Sequence, residues 1–308
     1  MNRNTKDVNF GKRLEHLFRL FRQRIKALLG IRPKPVIRDY SYTPKHRDSL
    51  KDSKIGDILE SWYVNNQNEV TELIRKFCSF KEFYKHIPLD PAQKPSPHWQ
   101  QTWIPPFDAM SIYGFLAIHN PRYYVEVGSG NTTLFAAQAI NDHRLRTKII
   151  SIDPFPRALI DKLCHQIYRM PFEDMDVKFF TSLTAEDFFL LDNSHRSFPN
   201  SDVTVFFTEV LPVLPSGILY AMHDIFLPSD YPKIWTCMRP RWYNEQYLLC
   251  AYLLGGADSD KIQCPVNFLG SKDGIIEIFQ SLREQGEVFV NMEIDEISSG
   301  SLFWLRKG

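Results

Sequence analysis

The amino-acid sequence predicts an α/β fold in which a parallel sheet carries helices on both faces. Short apolar runs alternate with segments of helical character through the last two thirds of the chain. The first run, over residues 123–127, enters a turn that holds two glycines, Gly128 and Gly130, and a helix follows. The second run, over residues 148–152, ends at the acidic residue Asp153. Strand, glycine turn and helix in this order are typical of a ligand-binding parallel sheet.

The segment before the sheet is predicted to be mostly helical. Within residues 55–120 the stretch over 55–80 is the clearest helix, and a Pro- and Trp-rich connection over residues 88–106 enters the core domain as a lid or wall. The chain therefore divides into three parts. These are a basic helix and linker over residues 1–54, a helical extension over 55–120 and the main domain over 121–308.

The elements of the main domain are predicted from their apolar runs and from the turns between them. Strands are expected near residues 123–127, 148–152, 176–180, 187–191, 217–222, 264–269 and 301–305. Helices are expected between them, the clearest near residues 132–140, 243–254 and 274–284. Because strands and helices alternate, most of the sheet is expected to be parallel.

The composition predicts a soluble globular protein in a reducing compartment. The chain has 308 residues and is 44% hydrophobic, which is enough for one substantial core. No uncharged apolar run approaches the roughly 18 residues of a membrane span, and the charged N-terminus does not match a secretory signal. The five cysteines are scattered and never form a CxxC pair, so they predict reduced thiols and a cytoplasmic location rather than disulfides or a zinc site.

Charge is distributed unevenly along the chain. Residues 1–54 carry 15 Lys or Arg and 5 Asp or Glu, which leaves 22 basic and 31 acidic residues for the remainder. Within the basic part, residues 13–29 place apolar side chains at helical spacing and basic side chains on the other faces. This helix is expected either to lie on the anionic inner membrane surface or to pack on the body or on a second subunit of a homo-oligomer. Nucleic acid is not expected as a partner, because the body has no matching basic stripe.

The turn after the first strand is predicted to bind a ligand through its backbone. Gly128 and Gly130 allow a bound molecule to approach closely, and the helix that follows presents free amide groups at its start. A dinucleotide fingerprint would have a third glycine where Thr133 stands, and Glu126 would repel a pyrophosphate but attract an amino group. Asp153 lies 23 residues beyond Gly130, a spacing that suits the diol of a ribose. A nicotinamide-dependent oxidoreductase is the alternative enzyme class, and the residues at positions 126 and 133 count against it.

The two motifs together resemble those of the class I S-adenosylmethionine-dependent methyltransferases. That family has an acidic-x-Gly-x-Gly motif after its first strand and a ribose-binding carboxylate after its second, which here match Glu126 to Gly130 and Asp153. The resemblance implies a Rossmann-like seven-stranded sheet of order 3-2-1-4-5-7-6 with the last strand antiparallel. It also implies S-adenosyl-L-methionine as the cofactor, with its methionine part along the glycine turn, Glu126 organising that end and Asp153 holding the ribose. The implied cofactor-binding residues are Glu126, Gly128, Ser129, Gly130, Asn131, Thr132, Asp153 and Asp192.

Polar residues follow two later strands at the edge where the ligand is expected. Asp192 and His195 follow the fourth predicted strand, and His223 and Asp224 follow the fifth. Ligands of open α/β sheets bind beyond the carboxyl ends of the strands, so these four side chains are predicted to converge beside the methyl donor. A histidine titrates near the working pH and can remove the proton of an acceptor hydroxyl. The alternatives are a core histidine bonded to Asp192 for His195, and a cap of the following turn for Asp224.

This spacing resembles that of the metal-dependent O-methyltransferases of the catechol type and, more loosely, that of the cephalosporin-hydroxylase-like group. The resemblance implies Asp192 and Asp224 as metal carboxylates and His195 as the base. His223 stands where the second group has an acid, and Ile225 stands where the catechol type has an asparagine. Because a hard ion such as Mg²⁺ prefers oxygen ligands, the His-Asp pair weakens the case for Mg²⁺ and leaves Mn²⁺, Fe²⁺ or no metal open. The candidate ligands are Asp192, Asp224 and His223.

The sequence as a whole predicts methyl transfer from S-adenosylmethionine to an oxygen of a small polar acceptor, a sugar or a hydroxylated metabolite. Three stretches, over residues 194–204, 223–232 and 242–247, also resemble a bacterial methyltransferase subgroup. That resemblance implies an acceptor pocket lined by Arg196, Asp230, Tyr231, Trp242 and Glu245. Tyr231 and Trp242 are also open to interpretation as packing aromatics. A non-catalytic relative that keeps the cofactor fold and acts at a membrane surface or as a scaffold is the remaining alternative.

Overall fold

The computed structural model describes residues 45–308 except for 92–94, 157, 239–240 and 286–287. Within this part, seven strands form one sheet of order β3-β2-β1-β4-β5-β7-β6. The strands are β1 Tyr123–Val127, β2 Lys148–Ile152, β3 Gln166–Tyr168, β4 Phe188–Leu191, β5 Leu219–Met222, β6 Lys261–Pro265 and β7 Phe303–Arg306. The Rossmann-like fold and the strand order that the sequence resemblance implied are confirmed.

The central strands end level with one another at one edge of the sheet. Strands β1 to β5 pair in parallel, whereas β7 runs antiparallel to both β5 and β6. Val127 at the end of β1 lies opposite Ile152 on β2 and Leu191 on β4, and Leu191 lies opposite Met222 on β5. The four residues of β4 and of β5 are apolar and buried, as expected for strands covered on both faces. The polar residues that follow these strands are therefore brought together.

Ten α-helices are described around the sheet. They are α1 Lys54–Cys78, α2 Lys81–Tyr84, α3 Pro106–His119, α4 Asn131–His143, α5 Val177–Thr181, α6 Asp202–Val205, α7 Glu245–Leu254, α8 Val266–Leu269, α9 Asp273–Glu284 and α10 Ile294–Ile297. The predicted helices near residues 55–80, 132–140, 243–254 and 274–284 are confirmed, with ends shifted by a few residues. Helix α3 starts with Pro106, which has no N–H to leave unpaired, and stops at Asn120 in the left-handed conformation.

The long helix α1 packs against α3 and α9 on one side of the sheet. Its buried residues include Ile55 and Leu59 in the first part of the helix and Val70, Ile74 and Phe77 in the last part. Within each part they are three or four residues apart, so they share one face of the helix. Helix α3 in turn contacts α4, which follows the glycine turn. The helical segment before the sheet thus belongs to the same core as the strands.

The third strand lies earlier than the sequence predicted. The expectation of a strand near residues 176–180 is wrong, because β3 covers residues 166–168 and residues 177–181 form α5. The Asp176 carboxylate accepts a hydrogen bond from the Lys178 N–H at 2.9 Å and so caps this helix. A short apolar run fits a helix turn as well as a strand, and the cap decides between them here.

The sixth strand is also displaced. A strand was expected near residues 264–269, whereas β6 ends at Pro265 and residues 266–269 form α8. Pro265 has no N–H for a strand ladder, which explains why the strand does not continue through the apolar residues that follow. The strand predicted near 301–305 is β7, which starts two residues later.

Several predictions concern residues outside the described ranges. The amphipathic helix over residues 13–29, with its membrane contact or its packing on a second subunit, lies outside the described residues and stays a prediction. The division of the chain at residues 54 and 120 also stays a prediction. All five cysteines lie in the described ranges, and Cys78, Cys164, Cys250 and Cys264 are free thiols. No helix in the described ranges is both long and apolar enough to span a membrane.

Candidate active site

The turn after β1 is pressed against the end of β4. Gly128 has a φ of +78°, and its N–H donates to the Ile152 carbonyl at 3.1 Å. A Cβ added at this position would lie 1.6 Å from the carbonyl oxygen of Asp192. Only glycine fits here without moving the backbone, because other residues rarely adopt this φ and have no room for a side chain. The turn that the sequence predicted as a ligand site is therefore held at close range to Asp192.

Glu126 lies beneath this turn and is fully buried. Its carboxylate accepts hydrogen bonds from the Tyr124 hydroxyl at 2.8 Å and from the Thr133 hydroxyl. The Thr133 oxygen in turn accepts a bond from the Gly130 N–H at 3.0 Å. Burial raises the pKa of Glu126 to about 7, although the hydroxyl donors oppose the rise. Glu126 and Thr133 thus hold the glycine turn from below, and the predicted role of Glu126 at the methionine end stays a prediction.

Asp153 joins the turn after β1 to the loop after β2. One carboxylate oxygen accepts from the Ser129 N–H at 2.7 Å, and the other accepts from the Phe155 N–H at 2.7 Å. The Ser129 hydroxyl points to Ser151 at 2.7 Å, so this residue presents its backbone to the turn. Two large apolar side chains of the segment after β2, those of Phe155 and Leu159, are 88% and 83% exposed.

This edge of the sheet brings together residues that the sequence predicted to hold S-adenosylmethionine. The half-buried carboxylate of Asp153 binds the backbone of Phe155, whose apolar side chain is exposed, and this combination suits a ribose with an attached base. The helix that starts at Asn131 and Thr132 follows the glycine turn directly. The Asn193 side-chain nitrogen is buried and has no hydrogen-bond partner among the described residues. Because buried donors are normally paired, this one is suited to a bound ligand.

The four residues predicted after β4 and β5 do converge. The His195 Nε2 atom lies 3.3 Å from Asp192 Oδ1 and 3.4 Å from Asp224 Oδ2. Its Nδ1 atom makes a hydrogen bond with the buried carboxylate of Glu245 at the start of α7. His195 and Asp224 both have positive φ, of 60° and 57°. Such backbone strain in non-glycine residues persists only where the surroundings enforce it, and it is common at functional sites.

His223 forms the second half of this cluster. Its Nδ1 atom lies 3.4 Å from Asp192 Oδ1 and 3.8 Å from Asp224 Oδ1. Its Nε2 atom lies 3.3 Å from Asp108 Oδ2, whose carboxylate is anchored by the backbone N–H groups of Ser301 and Leu302 at 2.7–2.9 Å. Asp192 thus stands between the two imidazoles and is the most exposed member of the cluster, with a side chain that is 25% exposed.

The carboxylates change the protonation of both histidines. Burial alone would lower the pKa of His195, but Glu245, Asp192 and Asp224 outweigh it and hold this pKa well above 6.5. The same holds for His223, where Asp192, Asp224 and Asp108 raise the pKa against burial. The two histidines in turn hold the pKa of Asp192 well below its usual range, although burial acts in the opposite direction. Near neutral pH both imidazoles are therefore expected to carry a proton.

The cluster is arranged as ion pairs rather than as a cage for a cation. Asp192 and Asp224 face the imidazole nitrogens of both histidines at 3.3–3.8 Å. No group of three or more His, Cys, Asp or Glu side chains in the described ranges is arranged to hold a metal ion. The arrangement of Asp192, Asp224 and His223 thus does not fit a bound ion, and the predicted divalent metal stays a prediction.

The predicted acceptor residues fall into two groups. Asp230 and Tyr231 are buried, and they accept hydrogen bonds from the Tyr247 hydroxyl at 2.5 Å and the Gln246 N–H at 3.1 Å, respectively. These hydrogen bonds join Asp230 and Tyr231 to neighbouring side chains and backbone and support the packing around them. Trp242, in contrast, is 46% exposed, and Arg196 is half-buried close to the histidine cluster.

Two parts of the cluster were not assigned from the sequence. Asp108 is the single acid of the mostly apolar helix α3, and this isolation is the signal that could have marked it. Glu245 was predicted to line the acceptor pocket, but it lies on His195 and is fully buried. Nothing in the spacing connects Glu245 with a histidine 50 residues earlier in the chain.

A family model for a methyltransferase domain matches residues 125–225, from β1 to the residue after Asp224. This match confirms the resemblance to a methyltransferase domain over that range. No curated protein matches the sequence.

Three solved structures are similar to this chain at low identity. A cmcI structure with Mg and SAM is 14% identical, with a TM-score of 0.37 over 72% of this chain and 83% of that chain. An O-methyltransferase from Bacillus cereus in complex with SAH is 11% identical, with a TM-score of 0.38 over 81% of this chain and 100% of that chain. The SAH-bound methyltransferase PaMTH1 from Podospora anserina is 12% identical, with a TM-score of 0.38 over 87% of this chain and 99% of that chain.

Proposed function

Because residues 125–225 match a methyltransferase domain, we propose that this protein transfers the methyl group of S-adenosylmethionine to a hydroxyl of a small polar acceptor. The observation that carries the proposal is the position of His195 at the carboxyl end of β4. One ring nitrogen bonds to a buried glutamate, and the other points towards the most exposed carboxylate of the cluster. A histidine held in this way is suited to take a proton from an acceptor.

The cofactor would be held by the residues at the ends of β1 and β2. The backbone from Gly128 to Gly130 and the start of α4 would contact its methionine part, and Asp153 would accept bonds from its ribose hydroxyls. Exposed Phe155 would cover the apolar face of the base. When bound, S-adenosylmethionine supplies a methyl group that is already activated. The protein has only to align an acceptor oxygen and to remove its proton.

His195 is the proposed base, acting through Nε2 in its neutral form, which is populated as the pH rises above its raised pKa. Glu245 fixes the ring by its bond to Nδ1 and stabilises the imidazolium that forms when the acceptor proton arrives. Asp192 and Asp224 lie beside Nε2 and stabilise the same charge. His223 is a positioning residue, because Asp108 on one side and Asp192 on the other hold it away from the open edge. No step in this proposal uses a metal ion.

Asp153→Ala is expected to weaken the binding of S-adenosylhomocysteine. Losing a charged hydrogen-bond partner costs about 1.5–3 kcal/mol, which is roughly ten- to hundredfold in affinity. Calorimetric titration of the full chain measures the change directly. Asp52→Ala, at an exposed acid ahead of α1, is the matched control and should bind like the parent. Equal affinity in Asp153→Ala and the parent would remove the ribose assignment.

The pH dependence of turnover tests the histidine. His195 acts as a base only when it is neutral, and its pKa is raised by the carboxylates. Turnover should therefore be low below that pKa and rise with pH on the alkaline side of 6.5. Glu245→Gln removes the anionic partner, so the rise should move to lower pH by roughly one to two units. Glu186→Gln, which alters an exposed glutamate paired with Arg146, is the control and should leave the profile in place. An unmoved profile in Glu245→Gln would contradict the proposed pair.

The non-catalytic alternative makes a different prediction. A protein that keeps only the cofactor fold would bind S-adenosylhomocysteine. It would not convert S-adenosylmethionine to S-adenosylhomocysteine with any acceptor. The strained backbone of His195 and Asp224 favours a catalytic function over cofactor binding alone, because binding the cofactor does not require this strain.

A further inference from the structure

Two arginines lie at the rim of the histidine cluster and are fixed in place. Arg196 directly follows His195, and its side chain donates from Nε to the Arg241 carbonyl and from Nη1 to the Ser194 carbonyl, each at 2.9 Å. The Arg241 N–H donates to the Trp235 carbonyl at 2.9 Å. These bonds use backbone acceptors, so they orient the side chain of Arg196 and the backbone of Arg241 without neutralising either charge.

Both guanidinium groups stack on aromatic rings that lead to His195. The Arg241 guanidinium carbon lies 3.7 Å from the centre of the Trp235 ring, and that of Arg196 lies 5.1 Å from the centre of the Tyr243 ring. The Tyr243 ring centre is 4.5 Å from that of His195. The Arg196 cation and the proposed base therefore both lie against the Tyr243 ring. Stacking fixes the plane of a guanidinium and leaves its N–H edge available to a ligand. In Arg196 the Nη2 group is available, because Nε and Nη1 donate to the Arg241 and Ser194 carbonyls.

The charge of this pair is not balanced by the described part of the protein. No Asp or Glu of the described residues lies within 4.0 Å of either guanidinium. Other arginines of the chain do have such partners. They are Arg75 with Glu72, Arg122 with Asp187, Arg146 with Glu186 and Arg169 with Asp161. Beyond residue 54 the chain has 31 acidic and 22 basic residues, so two unpaired arginines side by side at the site are a local exception.

We propose that Arg196 and Arg241 bind an anionic group of the acceptor, a carboxylate or a phosphate, about one ring's width from the hydroxyl that is methylated. This inference rests on the proposed methyl transfer for the identity of the site. Arginine is suited to it because its planar fork of N–H groups matches the oxygens of carboxylate and phosphate. An acceptor with a positive group is disfavoured at this rim, since it would meet two cations without a counter-charge.

Anion binding can be measured without turnover. Inorganic phosphate and malonate are titrated by calorimetry into the full chain after saturation with S-adenosylhomocysteine. The parent should bind at least one of them, and the preferred probe tells a phosphate acceptor from a carboxylate acceptor. Arg196→Gln and Arg241→Gln should each weaken that binding by roughly ten- to hundredfold. Arg146→Gln, at an exposed arginine paired with Glu186, is the matched control and should bind like the parent.

Two outcomes would overturn the inference: a parent that binds neither anion, or arginine variants that bind as tightly as the parent. Arg241→Lys guards against a folding defect, because it keeps the charge but loses the planar fork, and it should bind more weakly than the parent and more tightly than Arg241→Gln. A chain that does not bind S-adenosylhomocysteine would refute the proposed function instead. The same anion titration on the unloaded chain would then still decide whether the arginine pair is a binding site.

Discussion

His195→Ala is expected to lower turnover by about 10²–10⁴-fold while the affinity for S-adenosylmethionine stays near that of the parent. A base contributes chiefly in the transition state, when the proton leaves the acceptor oxygen. The cofactor residues lie mainly on the ends of β1 and β2, whereas His195 follows β4. Initial rates of S-adenosylhomocysteine release, with an acceptor found by screening hydroxylated acids and their neutral analogues, measure the first quantity. Calorimetric titration measures the second.

The variant also removes the partner of a buried glutamate. Glu245 has no exposed surface, so its carboxylate would lose the bond to His195 and the protein would lose stability. His195→Gln keeps a polar group at this position and separates a loss of the base from a loss of the fold. His86→Ala, at an exposed histidine between α2 and α3, is the control and should retain the parent's rate. Full activity in His195→Ala would contradict the assignment of His195 as the base, and His223 would become the next candidate.

Gly128→Ala is expected to impair both folding and cofactor binding. The new Cβ would lie 1.6 Å from the Asp192 carbonyl oxygen, and the residue would have to keep a φ of +78°. Strain of this kind, together with overpacking, costs about 2–4 kcal/mol. The turn and the end of β4 would have to separate, which moves the cofactor contacts and Asp192 together. We expect a thermal unfolding midpoint several degrees lower and a clear loss of affinity for S-adenosylhomocysteine.

Gly274 provides the matched control for this variant. It lies in the first turn of α9, and a Cβ at this position would contact nothing within 4 Å. Gly274→Ala should therefore fold and bind like the parent, because a helical glycine is replaced by a better helix former. Equal stability and affinity in Gly128→Ala and Gly274→Ala would contradict the close contact between the turn and β4.

The fold was predictable because its signals are local. Each central strand is a short apolar run bounded by a turn, and the glycine turn after β1 lies beside a carboxylate at the end of β2. The two errors arise where a local signal is ambiguous. Residues 176–180 and 264–269 are both apolar enough for a strand. In the first segment a capping aspartate favours a helix, and in the second segment Pro265 ends strand β6 early.

The convergence of Asp192, His195, His223 and Asp224 was predictable because the ends of parallel neighbours meet at one edge. Their partners were not. Glu245 reaches His195 from the start of α7, and Asp108 reaches His223 from α3, 115 residues earlier in the chain. These contacts depend on how helices pack on the sheet. The spacing of residues along the chain does not predict that packing. The protonation of the histidines depends on the same contacts, so it too required the structure.

Titration of the full chain with S-adenosylhomocysteine and, separately, with NAD is the most direct test of whether this sheet edge binds S-adenosylmethionine. The account predicts saturable binding of S-adenosylhomocysteine and no measurable binding of NAD, because Glu126 and Thr133 occupy the positions where a dinucleotide site needs a neutral turn and a third glycine. Binding of NAD without binding of S-adenosylhomocysteine would contradict the account and assign this sheet edge to a nicotinamide cofactor.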